Sequence, residues 1–423
     1  MVEQKKIIIY HPFGNANVRA AIKGLYLQGL LYSFHTCIAC FKGSLLYRLS
    51  SWKVFREFRR REFDVALRNV TFMHPWKEVG RHAAMKLNLS FLTAHETGKF
   101  CVDSVCHDLD KKVVRYLALH KNAVAGVYTY EDLALDTFSY AKKHHIKCLY
   151  DLPIGYWRAM RQFLSEEREK NPQWAITLGG FNDSDAKLQL KDKELALADK
   201  IYVASSFTQR TLEMYPGQLT PIEIIPYGFP PVNGSRVYTN CKGRKIKVLF
   251  VGGLSQRKGI SYFFEALQGM EDRIEATVVG RGRVEECPAL KEALASVNYI
   301  PSLPHEEVLR LMAAQDLFIF PSLFEGFGLV ITEAMSQGTP VITTDQTCGP
   351  DIITHGVDGW IVKAGTAAPI KDLLEDLLKH PEKLATAGRN ALATASRRPW
   401  SVYEKELAES VNHFLHDKLP QSE

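Results

Sequence analysis

The stretch DLFIFPSLFEGFGLVITEAMSQGTPVITT, residues 316–344, decides the fold class because its pattern runs from strand to loop to helix to strand. Residues 316–320 are an apolar run of strand length, and Gly326 and Gly328 bracket a loop that needs free backbone. The segment 329–337 has helix-forming composition and ends before Gly338 and Pro340. A second apolar run follows at once, so the stretch predicts a buried βαβ unit.

Two carboxylates stand eight positions apart in this stretch, one before the helix and one about two turns inside it. They are Glu325 and Glu333, and the amides of Phe327, Gly328 and Leu329 lie between them. A helix N-terminus carries unpaired N–H groups and partial positive charge, which suits a diphosphate, while carboxylates accept hydrogen bonds from vicinal sugar hydroxyls. The spacing therefore predicts a sugar-nucleotide site. The alternative is an ordinary α/β loop in which Glu333 is an exposed helix residue.

Two halves of the chain repeat the same organisation. Each begins with a short buried-strand pattern, at 7–10 and at 246–251, and strands alternate with helical patterns in both. This alternation predicts an α/β protein with two doubly wound, Rossmann-like domains that face a cleft. The predicted boundaries are an N-terminal domain at 1–228, a linker at 229–245, a C-terminal domain at 246–398 and a returning C-terminal helix at 399–423.

The motif E-G-F-G-L-V-I-T-E-A resembles the glutamate, seven residues, glutamate motif of the retaining family 4 glycosyltransferases, which have the two-domain GT-B fold. The likeness continues in IKVLFVGGLSQRKGISYFFEAL at 246–267, ADKIYVAS at 198–205, PYG at 226–228 and ATVVGRG at 276–282. Lys258 matches the family's diphosphate-binding lysine. Gly253 stands where the family often has arginine, so we expect Arg257 to supply that charge.

This resemblance implies a metal-independent hexosyltransferase with a uridine or guanosine diphosphate sugar as donor substrate and no cofactor. It places Glu325, Lys258 and Arg257 in the catalytic machinery. The implied donor-binding residues are Gly14, Gly252, Gly253, Gly280, Ser322, Gly326, Phe327, Gly328, Leu329 and Glu333. The nucleobase is expected near Arg281 and the segment 300–305, which identify neither the base nor the sugar.

In this family the N-terminal domain binds the acceptor. The segment VYTYEDL at 127–133 is similar to the family's histidine-containing acceptor loop, with Tyr130 in the histidine's place and Glu131 retained. A phenol is a poor base at neutral pH, so Tyr130 is expected to orient the acceptor. Asp151 and His95, the latter followed by Glu96, are the further acceptor-side candidates. The alternative for a lone histidine is an ordinary surface residue.

Composition fits an intracellular enzyme. The chain has 423 residues, 46% of them hydrophobic, and 8 cysteines. Cys37 and Cys40 form a C-x-x-C in an apolar run with no second pair at zinc-finger spacing, which predicts buried thiols. With no signal-peptide pattern and no run of about 18 apolar residues, a cytoplasmic location is expected.

Positive charge is concentrated near the N-terminus. Residues 42–86 contain 11 Lys or Arg against 4 Asp or Glu, and SWKVFREFRRR at 51–61 interleaves them with aromatic residues. This pattern predicts contact between Trp52–Arg61 and an anionic membrane surface, on the inner face of the cell membrane. A solvated helix whose aromatics fill the core is the alternative, and no nucleic-acid module accompanies the charge.

The function expected from these features is hexosyl transfer to a glycan or lipid-linked glycan in cell-surface polysaccharide or glycolipid assembly. Two other classes stay open: a GT-B sugar-nucleotide epimerase or hydrolase, and a catalytically silent binding protein.

Overall fold

The computed structural model describes residues 5–49, 61–239 and 241–417. The strands are β1 Ile7–Tyr10, β2 Leu31–Thr36, β3 Cys40–Phe41, β4 Glu62–Phe63, β5 Thr71–Met73, β6 Gly126–Tyr130, β7 Lys147–Leu152, β8 Lys200–Val203, β9 Ile222–Ile224, β10 Ile246–Val251, β11 Ile274–Val279, β12 Asn298–Ile300, β13 Leu317–Phe320, β14 Val341–Thr344 and β15 Gly359–Val362. The helices are α1 Ala16–Leu27, α2 Leu45–Leu49, α3 Trp76–Lys86, α4 Ser90–Thr93, α5 Val102–His120, α6 Leu135–Lys143, α7 Trp157–Lys170, α8 Asp185–Leu197, α9 Ser206–Thr211, α10 Ile260–Leu267, α11 Pro288–Leu294, α12 His305–Ala313, α13 Leu329–Ser336, α14 Gly349–Ile352, α15 Ala368–Lys379, α16 Glu382–Arg397 and α17 Trp400–His416.

The N-terminal half forms a parallel sheet of seven strands in the order β5-β2-β1-β6-β7-β8-β9. Its first strand, IIIY, is buried at every position, as expected for a strand covered on both faces. Ile9 pairs with Phe34 on one side and with Tyr128 on the other. The strand order reverses direction between β1 and β6, so the loops after these two strands diverge and leave a crevice.

The C-terminal half repeats this arrangement with six parallel strands in the order β12-β11-β10-β13-β14-β15. Its reversal point lies between β10 and β13. The predicted βαβ unit is present as β13, α13 and β14, with Ile319 paired to Ile342. The predicted fold class, two doubly wound Rossmann-like domains, is confirmed.

The C-terminal helix α17 crosses back onto the N-terminal half, as the resemblance implied. It packs on α1 so closely that a Cβ added at Gly24 would lie 2.1 Å from the carbonyl oxygen of Glu404. Lys23 pairs with the same Glu404 at 3.1 Å. Only a residue without a side chain allows this helix contact.

A second crossing was not predicted. Helix α7 and the 3-10 turn Pro172–Thr177 come from the N-terminal half, yet they contact the C-terminal half. Trp174 stacks on Phe264 of α10, with ring centroids 6.3 Å apart, and Lys170 donates to the carbonyl of Gly365. The two halves are therefore joined by two exchanged segments in addition to the linker, whose described residues form no helix and no regular strand.

All 8 cysteines are buried and none forms a disulfide, which agrees with the prediction of buried thiols. Among the described residues, no helix is long and apolar enough to cross a membrane. The basic aromatic segment predicted to contact a membrane lies outside the described residues, apart from Arg61.

Candidate functional site between the two domains

A cavity of about 390 Å³ lies where the loops after β1, β6, β10 and β13 converge. These are the strands at the reversal points of the two sheets, where ligands bind in doubly wound folds. The lining residues are His11, Asn15, Asn17, Tyr130, Pro153, Tyr227, Val251, Gly252, Gly253, Lys258, Phe320, Glu325, Phe327, Gly328, Leu329 and Val330. We call this space the interdomain cavity.

Glu325 and Lys258 meet inside the cavity, where the Lys258 Nζ contacts Glu325 Oε2. Their side chains are 15% and 14% exposed, so the pair is largely shielded from water. Burial, and then the positive charge of Arg257, lowers the pKa of Lys258 to about 6. The Lys258 amine is therefore only partly protonated at neutral pH, and additional negative charge beside it would favour its charged form.

Arg257 lies beside this pair but is not among the lining residues. Its Nη1 donates to the carbonyl of Phe324 at 2.9 Å and lies 3.7 Å from Glu325 Oε2. Its own carbonyl accepts from the Ser322 hydroxyl at 3.1 Å. Arg257 and Ser322 therefore fasten the turn that carries Lys258 to the loop that carries Glu325.

The turn Gln256–Lys258 is also held from the other half of the chain. Gln256 is fully buried, and its side-chain amide donates to Glu167 of α7 at 2.7 Å. Its backbone N–H donates to the Thr177 hydroxyl at 2.9 Å. Glu167, 5% exposed, also accepts from the Tyr262 hydroxyl at 2.8 Å. Because a buried carboxylate is costly unless hydrogen-bonded, this network fixes the turn strongly.

Helix α13 begins at the cavity. Its N-cap is Gly328, which has the left-handed conformation with φ 92°, and no side chain of the described residues caps the helix. The amides of Leu329 and Val330 therefore lie at the cavity with the positive end of the helix dipole. This arrangement suits an anionic ligand.

The loop before α13 is packed against the N-terminal half. A Cβ at Gly326 would lie 2.0 Å from the carbonyl oxygen of Pro153, so glycine is required. The carbonyl of Gly326 accepts from the hydroxyls of Ser205 and Thr208, at 2.6 and 2.9 Å. The two domains are thus in direct contact at the site.

Glu333 lies on α13 outside the cavity lining, and its Oε1 contacts His305 Nε2 at 3.0 Å. The hydrogen bond to Glu333 raises the pKa of His305 above its ordinary value. Gly280, another predicted donor residue, approaches Gly252, and a Cβ there would lie 1.7 Å from the Gly252 oxygen. These residues border the loops after β10, β11 and β13.

His11 is the main residue that sequence reasoning missed. It follows β1, lines the cavity, and its ring lies 5.0 Å from that of Tyr130. Its Nδ1 accepts from the amides of Phe13 and Gly14, at 3.0 and 3.1 Å. Burial, and then the charge of Arg61, lowers the pKa of His11 to about 3. The ring is neutral, and because Nδ1 accepts these bonds, Nε2 carries the ring proton. The feature of the sequence that could have indicated His11 is its position directly after the opening strand.

The acceptor-side candidates are placed unequally. Tyr130 lines the cavity, and its hydroxyl has no hydrogen-bond partner within the described ranges. Asp151 is 3% exposed and accepts from the Tyr128 hydroxyl at 2.7 Å. Burial raises the pKa of Asp151 to about 7. Glu131 pairs with Lys191 at 2.8 Å, and the exposed His95 contacts Asp183 at 2.9 Å.

The structure brings eight of the predicted residues into the cavity lining: Gly252, Gly253, Lys258, Glu325, Phe327, Gly328, Leu329 and Tyr130. The others lie outside that lining: Gly14, Arg257, Gly280, Ser322, Gly326, Glu333, Glu131, Asp151 and His95. Gly14 itself faces the ring of Phe63, 2.4 Å from where its Cβ would be, while its neighbours His11 and Asn15 reach the cavity.

A larger cavity, of about 1060 Å³, lies between α10, α11 and the turn Pro172–Thr177. It contains neither the glycine loops nor the Glu325–Lys258 pair. We therefore place the chemistry in the smaller interdomain cavity.

Comparison with known proteins agrees with this geometry. Residues 235–394 match the family model Glycosyl transferases group 1. The structure of Anabaena Alr3699/HepE in complex with UDP superposes with a TM-score of 0.62 at 17% identity, covering 96% of this chain and 100% of that one. The chain has the GT-B glycosyltransferase fold. The resemblance to GT-B glycosyltransferases is confirmed, and the assignment to family 4 stays a prediction.

Curated relatives of this GT-B chain match mainly over part of their length. The amylovoran biosynthesis glycosyltransferase AmsK of Erwinia amylovora is 27% identical over 168 residues, covering 36% of this chain and 41% of that protein. The phosphatidyl-myo-inositol mannosyltransferase of Mycobacterium leprae (strain TN) is 31% identical over 169 residues, covering 38% and 44%. The chain thus spans less than half the length of these two relatives.

Proposed function

We propose that the chain is a retaining, metal-independent glycosyltransferase that moves a hexosyl unit from a nucleoside diphosphate sugar to an acceptor hydroxyl. The observation that carries this proposal is the meeting of Glu325 and Lys258 at the N-terminus of α13, inside the interdomain cavity. A carboxylate for sugar hydroxyls, a lysine that a bound diphosphate would keep protonated, and the amides at a helix N-terminus are the groups that such a donor needs.

The donor would lie along the loop between β13 and α13. Its diphosphate would contact Lys258 and the amides of Leu329 and Val330, with Arg257 adding positive charge nearby. Glu325 would then turn from Lys258 toward the hydroxyls of the sugar. Glu333 would accept hydrogen bonds from the ribose, which requires that its contact with His305 open or be shared.

In the transfer step, the bond between the anomeric carbon and the phosphate oxygen breaks as the acceptor oxygen bonds to the same carbon on the same face. The departing phosphate oxygen takes the acceptor's proton. Negative charge grows on the diphosphate during this step, and Lys258, Arg257 and the helix end stabilise it in a site largely shielded from water. This placement of cations takes the part that a divalent metal has elsewhere.

The acceptor would enter from the side of β1 and β6. His11, through Nε2–H, and Tyr130, through its unpartnered hydroxyl, are the groups placed to orient it. The names of the relatives support a glycan or lipid-linked glycan as acceptor, since one acts in amylovoran biosynthesis and another is a phosphatidyl-myo-inositol mannosyltransferase.

The test is release of nucleoside diphosphate from a panel of UDP- and GDP-sugars without acceptor, in EDTA. The native chain is compared with Glu333→Ala and with the exposed control Glu286→Ala. Slow release from one donor, suppressed by Glu333→Ala and unchanged in the control, is expected. Adding glycan or glycolipid acceptors should then raise the rate, and the anomeric configuration of the product reports retention.

Other outcomes separate the alternatives. Full-rate turnover without acceptor would favour an epimerase or hydrolase. Donor binding without turnover under any acceptor would indicate a silent binding protein. A chain that neither binds nor cleaves any donor contradicts the proposed site.

A further inference from the structure

Exposed large apolar side chains are concentrated in one part of the N-terminal half. The clearest group follows one face of α3: Trp76 is 80% exposed, Val79 is 45% exposed, and Leu87 at the end of the helix is 68% exposed. Ala83, between them, is exposed as well. Positions 76, 79, 83 and 87 have helical spacing, so they share one face. We call these four residues the α3 apolar face.

The opposite side of α3 is mainly polar and carries the buried Glu78, although Met85 there is 54% exposed, so the usual pattern of a surface helix is largely inverted. Glu78 has no exposure and accepts from Arg61 at 2.5 Å and from Arg81 at 2.8 Å. Burial alone would raise the pKa of Glu78, but hydrogen bonds from Arg81 and His82, together with the charges of Arg81 and Arg61, lower it to about 2. The helix cannot turn its apolar side inward without breaking this buried ion pair, so the apolar face is fixed outward.

Further apolar side chains are exposed in the elements that flank α3. Met73, at the end of β5, is 50% exposed, and Phe91 of the short α4 is 69% exposed. Scattered exposed apolar residues are normal, but several that share one helix face mark an interaction surface.

The charge around this face indicates the partner. The described part of the segment 42–86 has 7 basic and 3 acidic residues, and one of the acidic residues is the buried Glu78, which pairs with Arg61 and Arg81. Lys42, Arg68 and Lys86 are exposed. A second copy of the chain is disfavoured, because symmetric docking would bring two strongly positive segments together. An anionic lipid surface offers both apolar depth and negative charge.

We propose that the α3 apolar face docks the protein on an anionic membrane, with Trp76, Val79 and Leu87 inserted at the interface. The surrounding basic residues contact lipid headgroups. The proposed surface does not include the segment 51–60, which lies outside the described residues, and Arg61 is not available to lipid because it binds Glu78 and the carbonyl of Pro12. The proposal goes beyond glycosyl transfer, and its test uses no donor.

The test is co-sedimentation of the full chain with vesicles of phosphatidylcholine alone or mixed with phosphatidylglycerol. We expect binding to the mixed vesicles that weakens as salt is added. Trp76→Ser/Val79→Ser/Leu87→Ser should lower the partition coefficient roughly a hundredfold, because three inserted side chains are lost. The matched control is Leu27→Ser/Leu119→Ser/Val357→Ser, which removes exposed side chains elsewhere and should bind normally.

Fluorescence gives a second readout that does not depend on binding strength. A blue shift of emission on adding mixed vesicles should be largely lost in Trp76→Phe, which preserves an aromatic anchor.

Three outcomes overturn the proposal: no binding of the native chain to mixed vesicles, unchanged binding of the α3 triple variant, or equal loss in the control. Dimers that disappear in the α3 triple variant, without vesicle binding, would assign the face to a second copy. Arg59→Glu/Arg60→Glu distinguishes the sources of binding. Loss of binding there with the α3 variant unaffected would assign the membrane contact to the basic segment and contradict the role of α3.

Discussion

At the scale of single residues, Lys258 is the charge on which the proposed chemistry depends most. Lys258→Ala removes the cation that faces the leaving diphosphate, and we expect turnover to fall by about 10²- to 10³-fold. Lys258→Arg keeps the charge and should lose less. Calorimetric titration with nucleoside diphosphate measures the effect on donor affinity, and the release assay measures the effect on turnover. The exposed Lys291→Ala is the control. Donor affinity that is unchanged in Lys258→Ala would remove this residue from the site.

Asp151 gives a prediction about pH. Burial raises its pKa to about 7 in the folded chain, above the ordinary value of 3.8, so the folded state binds a proton that the unfolded state has released. The free energy of unfolding therefore falls as pH rises from about 4 to about 7. Above about pH 7 this group lowers it no further. Asp151→Asn keeps an acceptor for Tyr128 and removes this cost.

We expect the stability gained by Asp151→Asn to be larger at pH 8 than at pH 5 by about 3 kcal/mol. Denaturant unfolding at the two pH values measures it. A gain that is equal at both values would mean that Asp151 is not held protonated by burial. Loss of turnover in the stabilised variant would in addition give Asp151 a role toward the acceptor.

The sequence predicted the residues whose neighbours along the chain carry the signal. Lys258 and Glu325 each stand in a glycine-rich stretch that follows a strand, and both lie in the cavity. His11 was missed because a lone histidine after a strand carries no spacing pattern. Glu167 was missed because its partner Gln256 is 89 positions away, and no local periodicity reports such a pair.

At the scale of elements, α7 and the turn Gln256–Lys258 act as a unit. We expect Glu167→Ala to weaken donor binding about as much as Gln256→Ala, because either change frees the turn that carries Lys258. The double variant should lose little more than each single one, since the two residues share one network. Donor titration of the three variants measures the coupling, and Glu169→Ala, exposed on the same helix, is the control.

Unfolding temperature and donor affinity together show whether Glu167 positions the site or only stabilises the fold. If Glu167→Ala lowers only the unfolding temperature and leaves donor affinity intact, α7 supports the fold without positioning the site. Glu167→Gln keeps an acceptor oxygen for Tyr262 and is expected to restore part of the affinity.

Helices and strands could be predicted from the sequence where a single apolar or helical pattern ran without interruption. β1 and β10 have the predicted bounds, and α13 ends one residue earlier than predicted. The attachment of α7 to the C-terminal half could not be predicted, because it depends on which surface Trp174 finds in the folded chain. The outward apolar side of α3 could not be predicted either. A periodic apolar face normally indicates the core, and only the buried Glu78 ion pair reverses it.

At the scale of the whole molecule, the two halves exchange segments in both directions: α7 contacts the C-terminal half, and α17 contacts the N-terminal half. The residues that line the interdomain cavity come from loops of both sheets, so the geometry of the cavity depends on this exchange. The close approach of Gly326 to the backbone of Pro153 is then a property of the complete chain and not of either half.

Gly24→Ala tests whether the exchange makes unfolding cooperative. In an exposed helix this change would stabilise by about 1 kcal/mol, but here the new methyl would lie 2.1 Å from the Glu404 oxygen and push α17 away from α1. We expect the native chain to unfold in one calorimetric transition and Gly24→Ala to lose about 1–3 kcal/mol and to separate into two. Gly234→Ala, where the added Cβ meets open space, is the control and should unfold as the native chain does.

Stabilisation by donor gives a second measurement. A donor should stabilise the native chain by mass action. We expect it to stabilise Gly24→Ala less, because the loops after β1 and β6 no longer stay in place. If Gly24→Ala still unfolds in a single transition with full stabilisation by donor, α17 is not what couples the two domains, and the α7 network must carry that coupling instead.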